Sequence, residues 1–140
     1  MKINTMTKED IENIFNMIKQ EGWIDYYNES GYENYIEALQ SSITYVAYDG
    51  SRACGYVRCL EDHGFGVYVY DLLVRKECRG KCLGRRLMER IHTDYENQPL
   101  YVMSEVDDYY EKLGYIKEGS IFKLKKFIKE DHRGASLIEP

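Results

Sequence analysis

Residues Tyr70-Asp71-Leu72-Leu73-Val74-Arg75-Lys76-Glu77-Cys78-Arg79-Gly80-Lys81-Cys82-Leu83-Gly84-Arg85-Arg86-Leu87 decide the fold of this chain. They end an almost continuous apolar run from Phe65 to Val74, cross a short basic segment containing glycine, and enter a stretch with Leu83, Leu87, Met88, Ile91 and Tyr95 at helical spacing. Continuous rather than alternating apolarity predicts a strand buried on both faces, hence a central one. The stripe predicts an amphipathic helix. The first amides of a helix lack internal partners and carry partial positive charge. Gly80 and Gly84 allow close approach to the backbone, and Arg79, Lys81, Arg85 and Arg86 add positive charge. The segment therefore predicts a phosphate or pyrophosphate site.

Upstream, Thr7 and Asp10 are spaced as a capping pair for a helix carrying Ile11, Ile14, Phe15 and Ile18, which Gly22 stops. Tyr32, Tyr35, Ile36 and Leu39 predict a second short helix, with the aromatic loop Trp23-Ile24-Asp25-Tyr26-Tyr27 between the two. Ile43 to Tyr48 and Ala53 to Leu60 flank Asp49-Gly50 and read as an antiparallel hairpin. Downstream, Leu100 to Met103 predicts a strand. Ser104 to Leu113 predicts a helix capped by Ser104 and ended by Gly114. Tyr115 to Glu118 and Ile121 to Phe127 predict a final pair of strands, and residues 128–140 a loose polar tail. This order predicts an α/β (α+β) domain over residues 1–140, a mixed sheet flanked by helices.

The 140 residues fit one domain of ordinary size. Hydrophobic residues at 44% and charged residues at 31% exclude disordered and collagen-like classes. Nineteen basic against 24 acidic residues give a net charge of −5, which disfavours a general nucleic-acid binder. No apolar run approaches ~18 residues, and Met1-Lys2-Ile3-Asn4-Thr5 lacks the pattern of a signal peptide. The expectation is a cytoplasmic protein with no membrane or nucleic-acid partner. Cys54, Cys59, Cys78 and Cys82 have neither the spacing of a zinc knuckle nor an export signal. They read as small buried thiols, and no metal is expected.

Among phosphate-binding patterns, the Walker A and dinucleotide glycine motifs are both missing. The segment instead resembles V-x-x-E-x-[RQ]-G-x-G-x-[GA], the acyl-CoA loop of the GNAT superfamily of N-acetyltransferases, with Val74, Glu77, Arg79, Gly80, Lys81, Leu83 and Gly84 in matching positions. Tyr109-Tyr110-Glu111-Lys112-Leu113-Gly114-Tyr115 is similar to the helix [FY]-Y-E-K-L-G-[FY] of the same family. Two residues depart from the pattern: Lys76 stands where proline is common, and Cys82 where glycine is preferred. A side chain at position 82 crowds the loop and is strained if the backbone there needs positive φ.

The resemblance implies a mostly antiparallel sheet and transfer of an acetyl group from acetyl-CoA to a primary amine of a small molecule or peptide. Transfer would be direct, in a ternary complex, without a metal. It implies that the backbone of Leu73 and Val74 meets the pantetheine arm, and that Arg79, Gly80, Lys81, Cys82, Leu83, Gly84 and Arg85 hold the pyrophosphate. It makes Tyr110 the general acid facing the sulfur. Dimers are common in the family, and the resemblance leaves monomer and homodimer both open. A non-catalytic acyl-CoA-binding sensor or regulatory module is the alternative. Asp71, a carboxylate within an apolar strand, is a candidate base or amine-binding group; it is equally a candidate partner for Arg58 or for backbone groups. Strand alternation places it on one face with Val67, Val69 and Leu73. Glu105 and Glu61 are reserve bases. Trp23, Tyr26, Tyr27, Tyr56 and Arg58 are candidates for the acceptor pocket, the aromatics because they hold cations and Arg58 because it would clamp a carboxylate.

Overall fold

The chain opens with a strand that no alternation announces. β1 (Lys2–Thr5) has one apolar residue, Ile3, and forms by pairing antiparallel with β2 (Ile43–Asp49). Its formation is thus dictated by a distant edge rather than by local pattern. A single 3-10 turn at Lys8–Asp10 follows, with the Thr7 amide donating to Asp10 Oδ2 at 2.7 Å as the capping pair predicts. α1 (Ile11–Glu21) buries Ile14, Phe15, Met17 and Ile18, and ends at Gly22, whose φ of 80° lets its amide reach the Ile18 and Lys19 carbonyls. The aromatic loop makes one 3-10 turn, Ile24–Tyr26. α2 (Gly31–Ser41) buries Tyr35 and Leu39. Then come β2, the Asp49-Gly50 turn and β3 (Arg52–Glu61), followed by β4 (Val67–Val74), α3 (Leu83–Asp94), β5 (Leu100–Val102) and α4 (Asp107–Lys112). The computed structural model describes residues 1–125.

The strands form one sheet in chain order, β1-β2-β3-β4-β5, with every pair antiparallel except β4 and β5. Helices cover both faces. On one, Leu83, Leu87, Met88 and Ile91 of α3 pack on Tyr45, Val57, Cys59, Val67 and Val69. On the other, α1 and α2 pack on Val46, Ala53, Tyr56 and Leu73. β4 is therefore a double-sided strand, as its apolar run predicts. Cys54, Cys59 and Cys78 are core residues, whereas Cys82 is exposed, against expectation.

β4 is not regular. Arg58 pairs with Asp71 but Cys59 pairs with Val69, so Tyr70 is an extra, bulged residue. Alternation resets there. Val67 and Val69 face α3 together with Leu72 and Val74, while Leu73 faces α1 and α2. Asp71 therefore leaves the face of Val67 and Val69 on which uninterrupted alternation places it.

Two further expectations fail. The helix after β5 starts at Asp107 and not at Ser104, because the Ser104 hydroxyl accepts the Val106 amide at 2.9 Å and holds the chain in a turn. Gly114 does end it, at φ 84°. The final strand pair is missing among the described residues. Residues 115–125 contain no strand, and Ile116, Ile121, Phe122 and Leu124 are exposed. Their apolar spacing suits a strand, but a strand also needs a partner, and β5 offers only three residues. Residues 126–127 of that pair and the predicted tail lie outside the described residues. Among the described residues, no helix is long and apolar enough to cross a membrane.

Candidate active site

β4 and β5 pair only at residues 67–69 and 100–102, with one further bond from the Met103 amide to the Val69 carbonyl. β4 continues to Val74 without a neighbour on that side. The gap opens into a cleft of about 1180 Å³ that runs from the loop before α3, past α4, to the aromatic loop after α1.

The loop end is built from strained backbone. Gly80 has φ 84° with open space where a Cβ would stand, and Cys82 adopts the left-handed conformation at φ 59° and ψ 24° as the residue preceding α3. Two left-handed residues so close turn successive amides outward, the geometry of an anion-binding concavity. Among the described residues, none of the amides from Gly80 to Arg85 has a protein acceptor; the first to be satisfied belongs to Arg86, bonded to Cys82 O at 3.0 Å. This row of free donors at the entry of a helix fits a diphosphate. Arg79 spans the loop, donating to the Val74 carbonyl at 3.0 Å and to Glu21 at 2.8 Å. Arg85 lines the cleft and pairs with Glu89 at 2.8 Å. Lys81 is exposed on the loop. Gly84 brings α3 close to α4: a Cβ there would stand 2.5 Å from the Tyr109 hydroxyl, so that half-exposed side chain would have to move aside.

Tyr110 lies at the middle of the cleft, buried on α4 between Tyr109, met edge-on at 5.0 Å, and Tyr115, stacked at 5.7 Å. Burial pushes its phenol up to about 12, so it keeps its proton at any physiological pH. Leu73 and Val74 border the same space.

At the far end lies Asp71, 4% exposed. Arg58 Nε donates to its Oδ2 at 2.6 Å, Tyr35 donates to the same oxygen at 2.6 Å, and Tyr26 donates to Oδ1 at 2.7 Å. Tyr35 spends its only proton there, so its 2.8 Å contact with Tyr56 is a bond donated by Tyr56. Tyr26 stacks on Tyr35 at 4.4 Å. Burial and the neighbouring carboxylate raise both phenols far above the ordinary tyrosine value. Arg58 also donates to Ser42 at 3.2 Å and lies against the rings of Tyr35 and Tyr70.

The structure therefore separates the residues that sequence grouped as an acceptor pocket. Trp23 and Tyr26 line the cleft with Glu105. Tyr56 is fully buried beneath it, and Arg58 is held by Asp71. Tyr27 packs on the α1 and α2 core, and Glu61 sits at the far end of β3, accepting the amides of His63 and Gly64. Sequence reasoning did not single out Tyr35, Tyr70 and Tyr109 as site residues. Tyr35 and Tyr109 look like helix packing positions, and only the bulge brings Tyr70 to the cleft.

The model of the GNAT acetyltransferase domain matches residues 2–128. A stretch of 66 residues, 44% of this chain, is 35% identical to GCN5-related N-acetyltransferase 2, chloroplastic, of Arabidopsis thaliana and spans 26% of that protein. Among solved structures, a GNAT-family acetyltransferase from Streptococcus pneumoniae superposes with a TM-score of 0.68 at 23% identity, covering 89% of this chain and 98% of that one. The aminoglycoside acetyltransferase AAC(6')-Iy bound to a bisubstrate analogue superposes with a TM-score of 0.70 at 16% identity, covering 90% and 98%. An aminoglycoside 6'-N-acetyltransferase with coenzyme A superposes at 0.71 and 16% identity, covering 85% and 87%. With a domain match across nearly its whole length and a splayed β4–β5 pair feeding a glycine loop, the chain belongs to the GNAT family of acetyltransferases.

Proposed function

We propose that this chain transfers the acetyl group of acetyl-CoA to a primary amine of a small molecule or peptide, with both substrates held together in the cleft. One observation carries the reading. A row of unpartnered amides, a protonated buried phenol and an aromatic, acidic surface share one continuous cleft. The names of structural relatives, among them acetyltransferases of aminoglycosides bound to coenzyme A, support the same class of reaction.

The roles follow from the chemistry. The amides of Gly80 to Arg85, with the Arg79 and Arg85 side chains, hold the diphosphate. The edge of β4 at Leu73 and Val74, unpaired on the β5 side, offers main-chain groups to the pantetheine arm and an amide to polarise the thioester carbonyl. Tyr110 faces the departing sulfur. Its phenol, at about 12, lies well above the ~8.5 of an ordinary thiol, so its part is to donate a hydrogen bond to the developing thiolate. Asp71 serves as an anchor: both carboxylate oxygens are taken by Arg58, Tyr35 and Tyr26, and the carboxylate holds Tyr26 against the cleft. An alkylammonium near ~10 must lose its proton before attack, and the open cleft lets water carry it away.

The test is a thiol-release assay with acetyl-CoA and a panel of amines, alongside calorimetry with CoA. Turnover with any amine supports the reading. CoA binding without turnover establishes the competing reading, an acyl-CoA-binding module. No CoA binding at millimolar concentration removes both.

A further inference from the structure

The acceptor end of the cleft has an unbalanced charge. Its lining includes the carboxylates of Asp25 and Glu105, both exposed, and among the described residues neither makes a hydrogen bond or ion pair with another side chain. Glu105 lines the same cleft as Asp25 and the Tyr26 ring. The cationic side chains that line the cleft, Arg79 and Arg85, stand at the loop end and already have carboxylate partners.

The remaining candidate cation, Arg58, is not available to a ligand. Its side chain is 15% exposed and is bonded to Asp71, and Tyr35 and Tyr70 cover it. Among the described residues, a substrate carboxylate would therefore meet no free donor of opposite charge at this end, and it would meet two carboxylates of its own sign. An organic cation would instead find those two carboxylates and the rings of Trp23, Tyr26 and Tyr70, faces that attract positive charge.

Resting on the acetyl-transfer reading above, we infer that the acceptor is a di- or polyamine: one amine is acetylated and a second, still protonated, is held between Asp25, Glu105 and the aromatic wall. Amines bearing a carboxylate are rejected. The paired Asp71 and Arg58 contribute neutrality to the floor, so selectivity comes from the two exposed carboxylates.

The test compares three acceptors of matched length, 1,4-diaminobutane, butylamine and 4-aminobutanoate, by calorimetry on the CoA-loaded protein; quenching of Trp23, the sole tryptophan, reports the same binding. Thiol release is measured in parallel. The diamine is expected to bind at least about tenfold tighter than butylamine, with 4-aminobutanoate weakest, and the preference shrinks as salt is added. Asp25→Asn and Glu105→Gln each reduce the diamine preference, and the double variant brings it close to one. Both positions are exposed, so the variants fold. A preference for 4-aminobutanoate, equal binding of diamine and butylamine, or an undiminished preference in the double variant overturns the inference. Fast thiol release with a monoamine or amino acid and none with the diamine overturns it while leaving acetyl transfer standing. Selective diamine binding with no thiol release keeps the diamine-binding site but removes acetyl transfer, and with it the diamine's role as acceptor.

Discussion

Replacing Cys82 by glycine separates the strain in the loop from its contacts. Cys82 sits at φ 59° and ψ 24°, where a residue with a Cβ is disfavoured by roughly 1–2 kcal/mol. Glycine removes that penalty but loses more chain entropy on folding, roughly 0.5–1 kcal/mol. Taken at their midpoints, the two terms predict that Cys82→Gly stabilises the protein by about 0.75 kcal/mol, a rise in Tm of roughly 2–4 °C for a domain of this size. Because Cys82 is exposed, its side chain has little packing to lose. Cys82→Ala is the control. It deletes the thiol and keeps the Cβ, so it should leave the stability within about 0.5 kcal/mol of the parent. CoA affinity should follow the same order. With the left-handed turn no longer opposed by sterics, Cys82→Gly should bind CoA about two- to fivefold tighter, and Cys82→Ala unchanged. Thermal unfolding without ligand and calorimetry with CoA measure the two parts independently. If Cys82→Gly unfolds at or below the temperature of Cys82→Ala, backbone strain is not what distinguishes this position.

Four other outcomes are expected. Tyr110→Phe should lower turnover about a hundredfold or more with CoA affinity little changed, read from steady-state kinetics and calorimetry. Asp71→Asn leaves the Arg58 guanidinium buried without its counter-charge and should destabilise by about 3–5 kcal/mol in urea unfolding; a loss below ~1 kcal/mol would contradict the anchoring role. Gly84→Ala displaces the half-exposed Tyr109 hydroxyl, a cost that the helix preference for alanine largely offsets, so stability should change by less than about 1 kcal/mol, and in a Tyr109→Phe background the same change should become stabilising, which a double-mutant cycle reads directly. Finally, burial raises Tyr110 to about 12, Cys59 to about 12 and Cys54 to about 11, while Tyr26, Tyr35, Tyr45 and Tyr56 are raised as well. The folded state holds these protons more tightly than the unfolded one. Their stabilisation is intact below the unfolded values, near ~8.5 for cysteine and ~10 for tyrosine, and drains away as pH climbs toward 12. Tyrosine absorbance should therefore show a class that ionises only with unfolding; a single transition for all tyrosines, complete before unfolding, would argue against the buried network.

The parts legible in sequence were those set by local rules. The β4 run, the stripe on α3, the Asp49-Gly50 turn and the stops at Gly22 and Gly114 all appear where expected. The glycine loop could be placed because strand, loop and helix are consecutive. Features that depend on a partner were not legible. β1 exists because the edge of β2 accepts it, and the strands expected after Gly114 lack such an edge among the described residues. The acceptor end was misjudged for a similar reason. Sequence leaves Arg58 open between a substrate clamp and a partner for Asp71, and the structure selects the pair with Asp71, 13 positions on; Asp71 reads as aligned with Val69 because a bulge leaves no mark in an apolar run. Tyr35 was seen as helix packing, and only the fold reveals that its hydroxyl holds Asp71.

Tyr70 adds a residue to β4 without adding a rung to the ladder. Taking it out would leave Val69 and Asp71 on the sides of the sheet they now occupy, so neither helix layer would lose its fit. A strand without that surplus residue has no reason to bend away from its parallel neighbour, and the two would go on bonding past Val69 and seal the opening between them. The core tolerates this residue, and the opening depends on it.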